Sequence, residues 1–133
     1  MIKHPQRERG SVIVEATLTL LLFLTMVFSL FDFGFSLFLH QTFVSQARMG
    51  ARYGAINPGD LTAVKNMVLY NSTSGSGNGV MGLSPSAVAV TRAGTAGGPD
   101  DRINVVVSGY TFTFLTPGWS GQRAGKPITV SIQ

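Results

Sequence analysis

The sequence has no cysteine and only two histidines. Without thiols there is no disulfide framework and no thiolate metal site, and the redox compartment stays open. His4 lies in the N-terminal basic stretch and His40 at the far end of an apolar run. They do not converge on a metal, so His40 reads as an interfacial residue, and neither metal nor cofactor is expected. Charge is scarce as well: between Val12 and Leu39 only Glu15 and Asp32 are charged. Beyond the N-terminal stretch the basic residues are scattered, with no stripe and no interleaved aromatics, which argues against a nucleic-acid surface. No G-x-S-x-G, H-E-x-x-H or paired-carboxylate pattern occurs. Asp100-Asp101 sits in a Gly/Pro turn and reads as a solvated loop. Gly77-Asn78-Gly79-Val80-Met81-Gly82 matches GxGxxG formally, but a polar loop precedes it and Ser84-Pro85 follows. A dinucleotide site needs a strand before the motif and a helix after it. The expectation is a protein that is not an enzyme.

What is present divides into two environments. The 133 residues allow one compact domain. Ser11 to Leu30 holds no Pro or Gly and supplies the roughly 20 apolar residues that cross a hydrocarbon core about 30 Å thick. Lys3, Arg7 and Arg9, opposed only by Glu8, precede it, which predicts a cytoplasmic N-terminus and a translocated remainder. A cleaved secretory signal would have an apolar core of about 7–15 residues with a small-x-small site after it. This run is longer, and no such site follows before Ala47.

Glu15 is the informative residue. A carboxylate inside an apolar helix costs about 2.5–3.5 kcal/mol at a bilayer centre on insertion scales, and less at the edge. A helix N-terminus offsets part of that through the macrodipole. Its spacing says more: Gly10 precedes Ser11, and Glu15 is the fifth residue counted from Ser11. Arg7-Glu8-Arg9-Gly10-Ser11-Val12-Ile13-Val14-Glu15 resembles a type IV prepilin processing site. The resemblance implies cleavage between Gly10 and Ser11 by a prepilin peptidase, and pairing of Glu15 with the freed Ser11 amine of a neighbouring subunit. Ser29-Leu30-Phe31-Asp32-Phe33-Gly34, followed by Ala47-Arg48-Met49-Gly50-Ala51-Arg52-Tyr53-Gly54, resembles the TadE-like pseudopilins of the tight-adherence (Tad/Flp) pilus system. Major pilins of that system carry Tyr after the Glu and are much shorter, whereas here Ala16 follows. The resemblance therefore implies a minor pilin or pseudopilin, with the main subunit of a variant pilus as an alternative.

Asp32 lies about 25 Å beyond Glu15 along a helix, near the outer interface. It marks that interface as a hydrated carboxylate, or it packs in a filament against Arg48 or Arg52 of another subunit. Phe43, Ala47, Gly50, Ala51 and Gly54 fall on one helical face, and small residues there permit close approach of a head. Arg48 and Arg52 share another face. The helix is expected over about residues 11–53, membrane-spanning to about Leu39, and Asn57-Pro58-Gly59-Asp60 ends it. Leu61, Val64 and Val68 predict a short second helix over Asp60 to Tyr70, capped by Asp60. Three strands are expected: Ala87 to Thr91, Ile103 to Leu115 with a β-bulge at Ser108-Gly109 where the alternation changes parity, and Ile128 to Ile132. Pro117 to Pro127 reads as a turn-rich connection. Tyr110, Phe112, Phe114 and Trp119 either fill the core between sheet and helix or form a contact surface.

The layout is α+β: a leader over 1–10, a long helix over 11–55 and a soluble head over 56–133. The implied partners are other pilin subunits, a prepilin peptidase, the inner-membrane assembly platform and the lipid bilayer. The implied location is the inner membrane with the head periplasmic, then an extracellular pilus. The rival reading is a periplasmic binding or scaffold protein held by an uncleaved signal anchor.

Overall fold

The computed structural model describes residues 6–116 and 121–133, with side chains from Gly10 onward. Helix α1 (Gln6–Ile56) is 51 residues long, about 75 Å at 1.5 Å per residue. It begins inside the leader and runs three residues past Tyr53. Its most apolar 18-residue window has a mean hydropathy of 2.2 and none of that window is buried. Hydroxyls in this stretch bond back to the preceding turn: Thr17 to the Ile13 carbonyl, Thr25 to Leu21 and Ser29 to Thr25, at 2.7–2.8 Å. They therefore need no water, which an apolar span could not supply.

Pro58 and Gly59 turn the chain, and the Asp60 carboxylate accepts from the Ala63 N–H at 2.8 Å to cap α2 (Leu61–Tyr70). Asn71, at φ 55°, closes that helix in the left-handed conformation. The two helices form an antiparallel hairpin. A Cβ on Gly50 would collide with Val68, and one on Gly54 with Val64 and Ile103. The glycines thus let α2 and the sheet approach the α1 backbone closely.

Strands β1 (Val88–Ala93), β2 (Arg102–Val107) and β5 (Ile128–Ile132) form an antiparallel sheet in the order β1-β2-β5. Val90 faces Val105, which faces Val130 on the other side. Ile103, Val105 and Val107 alternate inward and are buried. They meet Phe43, Ala47 and Ala51 of α1 and Val64, Val68 and Leu69 of α2 in one core.

The long second strand does not form as expected. The chain leaves the sheet at Ser108, whose N–H donates to the Ala87 carbonyl. Gly109 at φ +72° turns it in a conformation open to glycine. The parity change across Ser108-Gly109 is a strand break and not a bulge. The second half, β3 (Thr111–Thr113), pairs with β4 (Gln122–Ala124) in a separate ribbon, Phe112 facing Arg123. Strand β4 falls inside the stretch read as a connection. Trp119 lies outside the described residues.

Gly50→Ala tests the close approach. Alanine gains about 1 kcal/mol of helix propensity, while overpacking against Val68 costs about 1–3 kcal/mol. Thermal unfolding in detergent is expected to show a net loss of about 1 kcal/mol. Gly59→Ala, whose Cβ would meet nothing within 4 Å, leaves Tm unchanged. An unchanged or raised Tm for Gly50→Ala would sink the argument.

Candidate functional site: the helix–head clamp

One face of α1 carries the head. Phe43, Ala47, Gly50, Ala51 and Gly54 are all buried along it. At its upper end the Gly54 carbonyl has lost its helical partner, and Arg92 of β1 supplies one, its Nη2 donating at 2.9 Å. The same guanidinium bonds the Asp101 carboxylate at 2.6 Å, and that carboxylate also accepts from the Gly97 N–H. A cation at a helix C-terminus complements the macrodipole. Asp101 is therefore part of a largely buried ion pair, in contrast to the solvated loop its Gly/Pro surroundings suggest.

At its lower end the partners change sign. Asp32 is buried, 7% exposed. Its Oδ1 accepts from the Leu115 N–H and its Oδ2 from the Thr116 N–H, both at 2.8 Å, and the Thr116 hydroxyl also donates to Oδ2. Asp32 is thus neither a hydrated interface marker nor free for Arg48 or Arg52 of another subunit. It binds the end of β3 within its own chain. Two backbone donors just past a strand end have no other partner there, and a carboxylate is a strong acceptor for both.

Between these ends Tyr110 packs edge-on against Phe43, with ring centroids 4.9 Å apart. Burial pushes its phenol pKa upward, so the hydroxyl keeps its proton and donates to the Lys126 carbonyl at 3.0 Å. With that proton committed, the 2.9 Å contact to His40 Nδ1 requires the imidazole to donate. His40 is a bonded partner of the head more than an interfacial residue. Of the aromatic run, Tyr110 joins the core and half-buried Phe112 packs against it, and Phe112 and Phe114 stack edge-to-face at 5.2 Å. With Thr25, Ser29, Asp32, Phe33, Ser36 and Thr116 they line a cleft of about 520 Å³.

The remaining residues lie apart. Arg48 and Arg52 are exposed on the flank away from the head, where with Gln41, Val44, Ser45 and Met49 they line a groove of about 350 Å³. Glu15 is exposed beside Val12, Thr19 and Phe23. Among the described residues no basic side chain lies within ion-pair distance of it. Gly10 and Ser11 are exposed in continuous helix. The Gly77–Gly82 stretch follows α2, not a strand, and ends in a short 3-10 turn (Val80–Gly82), so the dinucleotide geometry is not formed.

A long apolar helix clamped at two heights to a small α+β head is the layout of a protein with one candidate membrane anchor. Residues 10–52 match the family model described as TadE-like protein. The stretch takes in Gly10, Ser11, Glu15, Asp32 and the packing face as far as Arg52, so the similarity lies in the long helix and not in the head. No curated protein and no solved structure matches.

Asp32→Ala strips both backbone donors of their acceptor. Amide hydrogen exchange at Leu115 and Thr116 is expected to accelerate roughly tenfold or more, while Val105 and Val64 amides in the core keep their protection. Unchanged exchange at Leu115 would contradict the clamp.

Proposed function

We propose that the chain is a minor pilin or pseudopilin of a tight-adherence pilus, processed after Gly10 and assembled through Glu15. One observation carries the reading. A carboxylate with no ion-pair partner among the described residues stands exposed on an apolar helix, five residues from a Gly-Ser junction at which the TadE-like match begins. Cutting there would free the Ser11 amine as a cation. In lipid both charges are costly apart, and a growing filament brings one subunit's amine to the next subunit's carboxylate. The partners on this reading are other pilin subunits, a prepilin peptidase and the inner-membrane assembly platform, and the head moves from periplasm to filament. Arg48 and Arg52, exposed opposite the head, are available to a neighbouring subunit. The work is packing and priming, without catalytic turnover, cofactor or nucleic acid.

Mass spectrometry of the membrane-extracted protein is expected to find a chain beginning at Ser11. Gly10→Val is expected to retain residues 1–10, and its normal maturation would defeat the processing step. An intact leader in the unaltered protein would favour the uncleaved signal anchor. Glu15→Ala is expected to be cut normally yet to enter pili at a small fraction of the unaltered level, measured by immunoblot of sheared filaments. Full incorporation would refute the pairing.

A further inference from the structure

The clamp sets the depth of the β3–β4 ribbon. Asp32 lies about 31 Å along the helix from Ser11, which is the thickness of a hydrocarbon core. Leu115, bonded to Asp32 through its own N–H, is held at that depth with its side chain 72% exposed. The helix around it stays apolar outward: Phe31, Phe33, Phe35 and Phe38 are 50–66% exposed. Lipid-compatible surface thus continues about 9 Å beyond Asp32, and the ribbon descends alongside this stretch. Its chemistry changes with height. Leu115 and Phe114 are low in its described part, Phe112 faces exposed Arg123 about 10 Å higher, and exposed Lys126 lies higher still, beside Tyr110. Acyl chain, then headgroup, follow the same order over the same distance.

We propose that the β3–β4 ribbon is a foot standing in the outer leaflet of the bilayer, with Leu115 and Phe114 against acyl chains and Arg123 and Lys126 on the phosphates of anionic phospholipids. The inference rests on the membrane-spanning reading of α1 and adds a second point of lipid contact. Lipid fits better than a second copy because the apolar tip adjoins the span itself and the basic rim lies one headgroup layer above it. The clamp keeps Asp32 covered at the same depth, its charge met by three donors.

Because the chain has no cysteine, Leu22→Cys, Leu115→Cys and Thr95→Cys can each carry a single nitroxide. The labelled full chains go into phosphatidylcholine vesicles with and without phosphatidylglycerol. Spin-label accessibility is read with oxygen, which favours lipid, and a nickel chelate, which favours water. Leu22 and Leu115 labels are expected to be oxygen-accessible and the Thr95 label chelate-accessible. Phosphatidylglycerol is expected to drive the Leu115 label deeper, a gain that Arg123→Gln loses in large part. A water-like Leu115 beside a lipid-like Leu22 overturns the foot and leaves the span standing, whereas a water-like Leu22 overturns both. Spin–spin broadening at Leu115 that vanishes on dilution with unlabelled chain identifies a second copy as the occupant and also overturns it. An Arg123→Gln chain that keeps the whole gain refutes the phosphate contact.

Discussion

A carboxylate on an apolar helix needs donors, and the backbone just past a strand end needs acceptors. Asp32 and the Leu115–Thr116 N–H groups meet both needs at once. The rest of the lower head follows from that exchange. It holds β3 against α1, so Phe112 and Phe114 wall a cleft at the lower edge of the core. It also brings Tyr110 to Phe43 and His40. At the opposite end Arg92 does the converse, putting a cation on the open carbonyl of Gly54. The head is thus pinned at two heights about 33 Å apart along the rod by charged side chains on bare backbone groups. Between the pins the contact is apolar and close, made possible by Gly50 and Gly54.

One helix serves three surroundings by dividing its surface. Below Asp32 it is largely exposed and, Glu15 and a few back-bonded hydroxyls apart, apolar, as suits a helix in lipid. Above it, one face is covered by α2, β2 and β5, and the opposite face presents Gln41, Ser45, Arg48 and Arg52 to the exterior. A head gripping only one face leaves the other for lateral contact. That free face is the one the proposed pilin reading gives to neighbouring subunits.

The rod and its packing face were legible in the sequence because their signals are local. Phe43, Ala47, Gly50, Ala51 and Gly54 announce a face by spacing alone, and Pro58-Gly59-Asp60 announces both a stop and a cap. The ribbon was not legible. Gln122-Arg123-Ala124 is exposed throughout and carries no alternation. The parity change after Val107 is present in the sequence, but whether it marks a bulge or a break depends on which strand lies opposite. The clamp was hidden for a deeper reason. Its partners stand 83 and 84 residues from Asp32, and they are backbone N–H groups, which every residue but proline possesses. Asp101 was misread in the same way, because a Gly/Pro turn gives no sign that Arg92 reaches back into it.

The two carboxylates of the span resolve into different roles on energetic grounds. Both are costly in an apolar setting, and the cost falls only where donors or a cation are supplied. Asp32 has its donors within the chain, so pairing it with another subunit would first require breaking bonds already made. Glu15 has no such partner among the described residues. Any gain from neutralising it is left to groups beyond the described residues or to lipid headgroups. A neighbouring subunit's amine improves on headgroups by offering a fixed, unscreened cation in low dielectric. The asymmetry splits the work on the proposed reading: Asp32 sets the shape of the chain, and Glu15 would supply a reason for subunits to associate.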